Sequence, residues 1–194
     1  MGNWGVHYCD AIRWMLDEEA PMAVTAHGGK FVLDDDRTIP DTMEVTFEFA
    51  SGRVLIFGQY EAGGGAPLQN GELEFCGTLA NLYPGAEAHG CKIIASAKGQ
   101  FQGPARPPEI EEIPTMDGDL TPQHIRNFLD CVKSRQECHC PLEAGHRSTT
   151  FAHLANIALA TRTRLEWDAK TERVTNHEKA NQLLDYGYRA PWRI

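Results

Sequence analysis

Several absences narrow this chain before any motif is considered. No apolar run approaches the roughly 20 residues needed to span a bilayer, so no membrane insertion is expected. Basic residues are scarce: 18 Lys and Arg stand against 27 Asp and Glu, giving a net charge of −9. They are also dispersed, so no phosphate-tracking surface forms and no nucleic acid is expected as a partner. The acidic balance serves solubility. Neither G-x-x-x-x-G-K-[ST] nor G-x-S-x-G occurs, and no G-x-G-x-x-G joins a strand to a helix, so no cofactor-binding residues are assigned. Gly63-Gly64-Gly65 runs into Ala66-Pro67 between strand candidates and reads as a flexible connection. Cysteine is sparse, with six in 194 residues, and the thiols are expected to be reduced in a cytoplasmic protein. Cys138-His139-Cys140 with His146 offers residue types that zinc prefers. The C-x-x-C spacing and a second ligand pair are missing, so this segment is read as a polar loop and no metal is assigned. No secretory signal is visible. A patterned helix starts within a few residues of Met1 with no strand before it, so the beginning reads as cut from something longer.

What remains is a globular composition, 42% hydrophobic and 23% charged, at a length that favours one domain with a real core. After a first helix ending at Pro21, Met22 to Gly28 alternates with the period of a half-buried strand. Met43, Val45, Phe47 and Phe49 alternate with Thr42, Glu44, Thr46 and Glu48. Ser51-Gly52 then turns the chain into a β-rich run from Arg53 to Ala62, which predicts a hairpin. Gly71 to Thr78 and Cys91 to Ser96 are further strand candidates, and proline density from Gly99 to Pro114 suggests an irregular excursion. Thr121-Pro122 reads as an N-cap followed by proline. Ile125, Phe128, Leu129 and Val132 then follow at the spacing of a helix laid on a core. Ser148 is expected to cap a third helix carrying Phe151, Leu154, Ile157 and Ala158. Leu165 to Asp168 is a short strand candidate. Thr175-x-x-Glu178 reads as a capping box opening a helix from Asn176 to Asp185, and an extended aromatic tail follows. Grouped strands with helices at the ends predict α+β: an open, mainly antiparallel sheet with helices packed on one face.

The chemistry concentrates in the first segment, Gly2 to Leu16, where His7, Asp10 and Trp14 share one helical face. A histidine beside a carboxylate can move protons near neutral pH. The alternative is a partly buried helix-start histidine bonded to a local backbone group. His146 and Arg147, read as lying at the start of the third helix, are candidates for contact with an anionic or hydroxylated ligand. There the alternative is helix capping with an exposed arginine. Trp14, Trp167 and Trp192 read as core or interface aromatics.

Taken together, GNWGVHYCDAIRW, the GGKF…DDDRTIPDTMEVTFEFASG hairpin, HIRNFLDCVKSR, GHRSTTFAHLANIALATRTRLEWD and ANQLLDYGYRAPW resemble the C-terminal domain of the Gfo/Idh/MocA oxidoreductases, in a branch of bacterial sugar dehydrogenase-like proteins. The resemblance covers almost the whole chain. It implies a partnership with an N-terminal Rossmann domain that binds NAD(P), a sugar or polyol substrate, and homo-oligomerisation through the open sheet face. In that family a lysine of the Rossmann domain and an Asp/His pair four residues apart handle the hydroxyl proton. Here His7 occupies the histidine position and Asn3 the aspartate position. Asparagine cannot act as a base, so His7 becomes the candidate acid/base, with Asn3 and Asp10 orienting it. His146, Arg147, Trp4 and Tyr60 are the candidate substrate contacts. Residues 1–194 are then expected to form a single substrate-binding and oligomerisation domain. On this reading the nucleotide-binding domain is expected to be missing from residues 1–194, no cofactor is expected to be held by this chain alone, and hydride transfer is not expected from it alone. The alternatives are a stand-alone dimerising interaction module and a non-redox sugar lyase or hydrolase using His7.

Overall fold

A computed structural model of the chain describes residues 1–64, 68, 71–84, 91–95 and 118–192. They fall into two compact units, Met1–Ala62 with His139–Ile194, and Gly63–Cys138. The excursion expected between Gly99 and Pro114 lies outside the described residues.

The first unit is built on a five-stranded sheet. Its strands are β1 (Ala23–Gly29), β2 (Thr42–Glu48), β3 (Val54–Tyr60), β7 (Leu165–Asp168) and β8 (Arg173–Val174), in the order β3-β2-β1-β7-β8, and every pairing is antiparallel. The expected hairpin is present, with Thr42 opposite Tyr60 and Glu48 opposite Val54. The strand period of two sends Met43, Val45 and Phe47 inward, together with Val24 and Ala26. Against this face lie α1 (Gly5–Leu16) and α3 (Leu142–Thr161). Phe151 of α3 sits between Phe47 and Phe49, with ring centroids 5.2 and 5.9 Å away. Leu154, Ala155, Ile157 and Ala158 extend the same core, which Leu165, Trp167 and Val174 close. The short helix α4 (Glu178–Asn181) adds Ala180. At Gly28 a Cβ would lie 2.2 Å from the Thr42 carbonyl oxygen, so only glycine lets β1 and β2 approach there.

No helix of the first unit covers the other face of this sheet among the described residues. Arg164 spans one end of it, binding both Glu48 oxygens at 2.9 Å and Glu166 at 3.1 Å across Ala23, whose neighbours in the sheet are those two glutamates. Glycines on this face leave room for aromatic rings: Phe31 lies over Gly29 and Tyr60 over Gly58. Between β1 and β2, the buried Asp41 carboxylate gathers the connecting loop. Its Oδ2 accepts from the backbone N–H groups of Phe31, Val32 and Leu33 at 2.8 to 2.9 Å.

The second unit holds β4 (Phe75–Cys76), β5 (Ala80–Pro84), β6 (Cys91–Ala95) and α2 (Thr121–Ser134). The strands form an antiparallel sheet in the order β4-β5-β6, and the buried Tyr83 donates to Glu74 at 2.6 Å.

Three local expectations change. The third helix begins at Leu142, with Pro141 as its N-cap, so Ser148 is an interior residue of it. Thr121 is helical and Leu120 takes the N-cap position, while the Asp119 carboxylate accepts from the Thr121 N–H at 2.9 Å. The last helix shrinks to Glu178–Asn181 and is capped by His177, whose Nδ1 accepts from the Ala180 N–H, in place of Thr175. Thr175 instead bonds the Glu166 carbonyl beside β8, an element too short to leave a periodic trace.

Candidate functional site

The helix α1 presents two different sides. Gly5, Cys9 and Ile12, spaced i, i+4 and i+7, are buried. A Cβ on Gly5 would meet the Phe57 ring at 3.2 Å, so glycine lets the start of the helix settle on β3. Burial pushes the Cys9 thiol up to about 12, which leaves it an inert apolar group. The opposite stripe, with Trp4, His7 and Trp14, points outward, Trp4 being 72% and Trp14 78% exposed.

His7 is exposed rather than partly buried, and its ring neighbour is Trp4, at 6.0 Å between centroids. Asn3 is exposed one turn earlier. These three side chains therefore share the accessible start of α1.

Asp10 does not join them. Its Oδ1 accepts from the Ser148 hydroxyl at 2.5 Å and lies 3.7 Å from Arg13 Nη2, turning the carboxylate toward α3 and away from His7. No hydrogen bond links His7 to Asp10 among the described residues, so Asp10 serves the α1–α3 contact. Ser148 was legible only in part: it shares the face of Phe151, Ala152 and Ala155, but its residue type suggests a cap.

The other candidates lie elsewhere. His146 and Arg147 occupy the second turn of α3, where their own N–H groups are already used by the helix, so the free-donor reading of these positions does not hold. His146 Nε2 lies 2.6 Å from Glu172, and this contact holds the Glu172 carboxyl below its ordinary value. Arg147 donates to Glu143 at 2.7 Å and to the Ala169 carbonyl at 3.2 Å. Both are engaged with the turn between β7 and β8. Tyr60 pairs with Thr42 on the outer sheet face and donates to Glu44, whereas α1 rests on Phe57 of the inner face. Strand alternation thus separates Tyr60 from His7 by the thickness of the sheet.

The described residues do not fit a dinucleotide. Its pyrophosphate needs a Gly-rich turn leading from a strand into a helix N-terminus. Here α1 follows a turn with Trp4 as its cap, α2 carries a proline in its first turn, and α3 follows Pro141 with Glu143 in its first turn. No group of three or more His, Cys, Asp or Glu residues is placed to hold a metal ion among the described residues. None of the described helices is long and apolar enough to cross a membrane.

Comparison with known proteins places this geometry. No curated protein sequence matches the chain. Among solved structures, the WlbA dehydrogenase from Bordetella pertussis, solved with NADH and UDP-GlcNAcA, is 15% identical with a TM-score of 0.56, over 86% of this chain and 44% of that one. An NAD-binding protein from Listeria innocua is 17% identical with a TM-score of 0.60, over 84% and 50%. The aldose-aldose oxidoreductase from Caulobacter crescentus, solved with glycerol, is 16% identical with a TM-score of 0.57, over 84% and 45%. At these identities the likeness is one of fold, and the chain spans about half the length of the structures it matches. The family model for the C-terminal alpha/beta domain of this oxidoreductase family matches residues 1–194. A mainly antiparallel sheet with helices on one face, matched in fold and along its whole sequence, makes the chain a member of the Gfo/Idh/MocA oxidoreductase family, corresponding to its C-terminal alpha/beta domain.

Proposed function

We propose that this chain is the substrate-binding and oligomerisation domain of an NAD(P)-dependent sugar or polyol oxidoreductase, with His7 as its acid/base group. The observation that carries the reading is the accessible Asn3–Trp4–His7 corner of α1, in a chain matched end to end by the family's C-terminal domain. An exposed imidazole can accept the proton of a substrate hydroxyl near neutral pH and return it in the reverse direction. Asn3 can donate to or accept from a neighbouring hydroxyl but cannot take its proton. Trp4 offers a flat apolar face of the kind that packs on a sugar ring. Asp10 is left out of the proton path because Ser148 occupies it. The starts of α1, α2 and α3 lack the Gly-rich turn that a dinucleotide's pyrophosphate needs, so its binding is assigned to a Rossmann domain outside the described residues.

Two titrations test this. NADH and NADPH added to the purified 194-residue chain should give no saturable change in nicotinamide fluorescence; tight saturable binding would overturn the assignment of the cofactor to another domain. In the second, glucose, myo-inositol and UDP-N-acetylglucosamine are added while the His7 imidazole cross-peak is followed by NMR. At least one should move it, and His7→Ala should abolish the accompanying shifts in Asn3 and Trp4. If none of the three perturbs this corner of α1, the substrate reading is wrong. Turnover of a sugar by this chain without nicotinamide would favour a lyase or hydrolase instead.

A further inference from the structure

Ser148 is buried in the middle of the first unit, yet it is a polar residue on an otherwise apolar face of α3. Its hydroxyl has three neighbours: Asp10 Oδ1 at 2.5 Å, the Ala144 carbonyl at 2.8 Å and Arg13 Nε at 3.3 Å. A serine hydroxyl has one hydrogen to give, and Arg13 can only donate, so the oxygen accepts from Arg13 while its proton goes to the Asp10 carboxylate, a nearer and stronger acceptor than the Ala144 carbonyl. The Ala144 carbonyl, one turn earlier in α3, lies 2.8 Å from the same hydroxyl. The other two contacts come from successive turns of α1, on the flank between its buried side and its outward stripe. Shape alone fixes the rotation of α1 loosely, because the residues it buries include the small Gly5 and Cys9. A directed hydrogen bond at a buried point fixes it far more sharply, and leaving that point unsatisfied would be costly.

We propose that Ser148 is a positioning residue of the His7 site: its buried hydroxyl, gripped by Asp10 and Arg13, sets the rotation at which α1 presents Asn3, Trp4 and His7. This rests on the reading of His7 as the acid/base group. Ser148 makes its hydrogen bonds with Asp10, Arg13 and Ala144 and with none of these three residues, so its effect on them travels through the helix.

The test follows the imidazole cross-peaks of His7, His27, His153 and His177 in the ligand-free chain, together with amide exchange along α1. In Ser148→Ala the His7 peak should shift or broaden while the other three stay in place, and α1 exchange should rise by roughly tenfold or more relative to β2. Ser148→Thr, which keeps the hydroxyl, should return the His7 peak toward its original position. Asp10→Ala, made on the partly exposed partner, should reproduce the Ser148→Ala shift and stands in if the serine variant does not fold. An unmoved His7 peak in both variants would overturn the proposal, whether or not α1 exchange rises, and so would a common shift of all four histidines. Should the sugar titration fail while His7 still responds to Ser148, the positioning role stands and the substrate reading falls.

Discussion

Asp41 shows at the scale of one residue how a single carboxylate can shape a loop. Three consecutive backbone N–H groups, from Phe31, Val32 and Leu33, converge on its Oδ2, and the Thr42 hydroxyl donates to Oδ1 at 3.0 Å. Donors of this kind stabilise the charged form, chiefly the Leu33 and Val32 amides, and hold the carboxyl down at about 2. The value in the folded protein lies below that of the unfolded chain. Its contribution to stability is therefore complete above the ordinary aspartate value near 3.8 and is lost as pH falls from about 4 toward 2. Amide exchange at residues 31–33, corrected for the intrinsic effect of pH, should accelerate across that window. In Asp41→Asn the same amides should exchange roughly tenfold faster or more at pH 6, and the acid step should vanish. If the step persists in the asparagine variant, another carboxylate holds the loop.

Among the elements, two helices with similar apolar periodicity have different fates. Phe151 of α3 is 1% exposed and fills the gap between Phe47 and Phe49, whereas Phe128 of α2 is 58% exposed. Ile125, Leu129 and Val132 are exposed with it, so the stripe expected to lie on a core is uncovered among the described residues. Phe151→Ala removes a buried ring from a packed interior and should cost about 3–5 kcal/mol in urea unfolding. Phe128→Ala should stay within roughly 0.5 kcal/mol, since little burial is lost. A large loss from the Phe128 substitution would mean that something covers α2 in solution.

This contrast marks where sequence reading stops. The i, i+3, i+4, i+7 spacing from Ile125 to Val132 states that one face is apolar, and it carries no information about what lies against that face. The hairpin from Thr42 to Tyr60 was fully legible because alternation, β-branching and the Ser51-Gly52 turn agree. By contrast β5 was missed, since Asn81 and Pro84 weaken a run whose pairing is decided by its neighbours on both sides. The start of α3 was misplaced because Ser148 looks like a cap, whereas the helix already begins after Pro141. At the site, His7 and Asn3 are both exposed, which departs from the reading of His7 as a partly buried helix-start histidine. The separation of Tyr60 and the diversion of Asp10 depend on long-range packing that local pattern does not encode.

On the scale of the whole molecule, the open face of the five-stranded sheet bears on assembly. Ile56, 71% exposed, and Val54 lie on it along the edge strand β3, beside Thr46 and Thr25. Single exposed apolar residues are ordinary on a protein surface, but a sheet face bearing several of them is a candidate contact. Seven-residue strands about 23 Å long, in a five-strand sheet about 19 Å wide, present a few hundred Å². A stable interface needs about 800 Å² from each partner, so the flanking residues would have to contribute as well. Phe31, lying over Gly29 at the end of β1, is placed to do so, and Asp41 fixes the loop that carries it. The proposed homo-oligomer should therefore use Ile56 on the β3 side of the contact and Phe31 at its rim. Sedimentation at micromolar concentration should show a dimer or larger species. Ile56→Glu, which would bury an unpaired charge in the contact, should weaken association by at least roughly tenfold. Amide protection in the core strand β2 should be unchanged, since Ile56 contributes nothing to the inner face. A monomeric parent chain, or a variant that assembles as well as the parent, would place the contact elsewhere and leave this sheet face solvated.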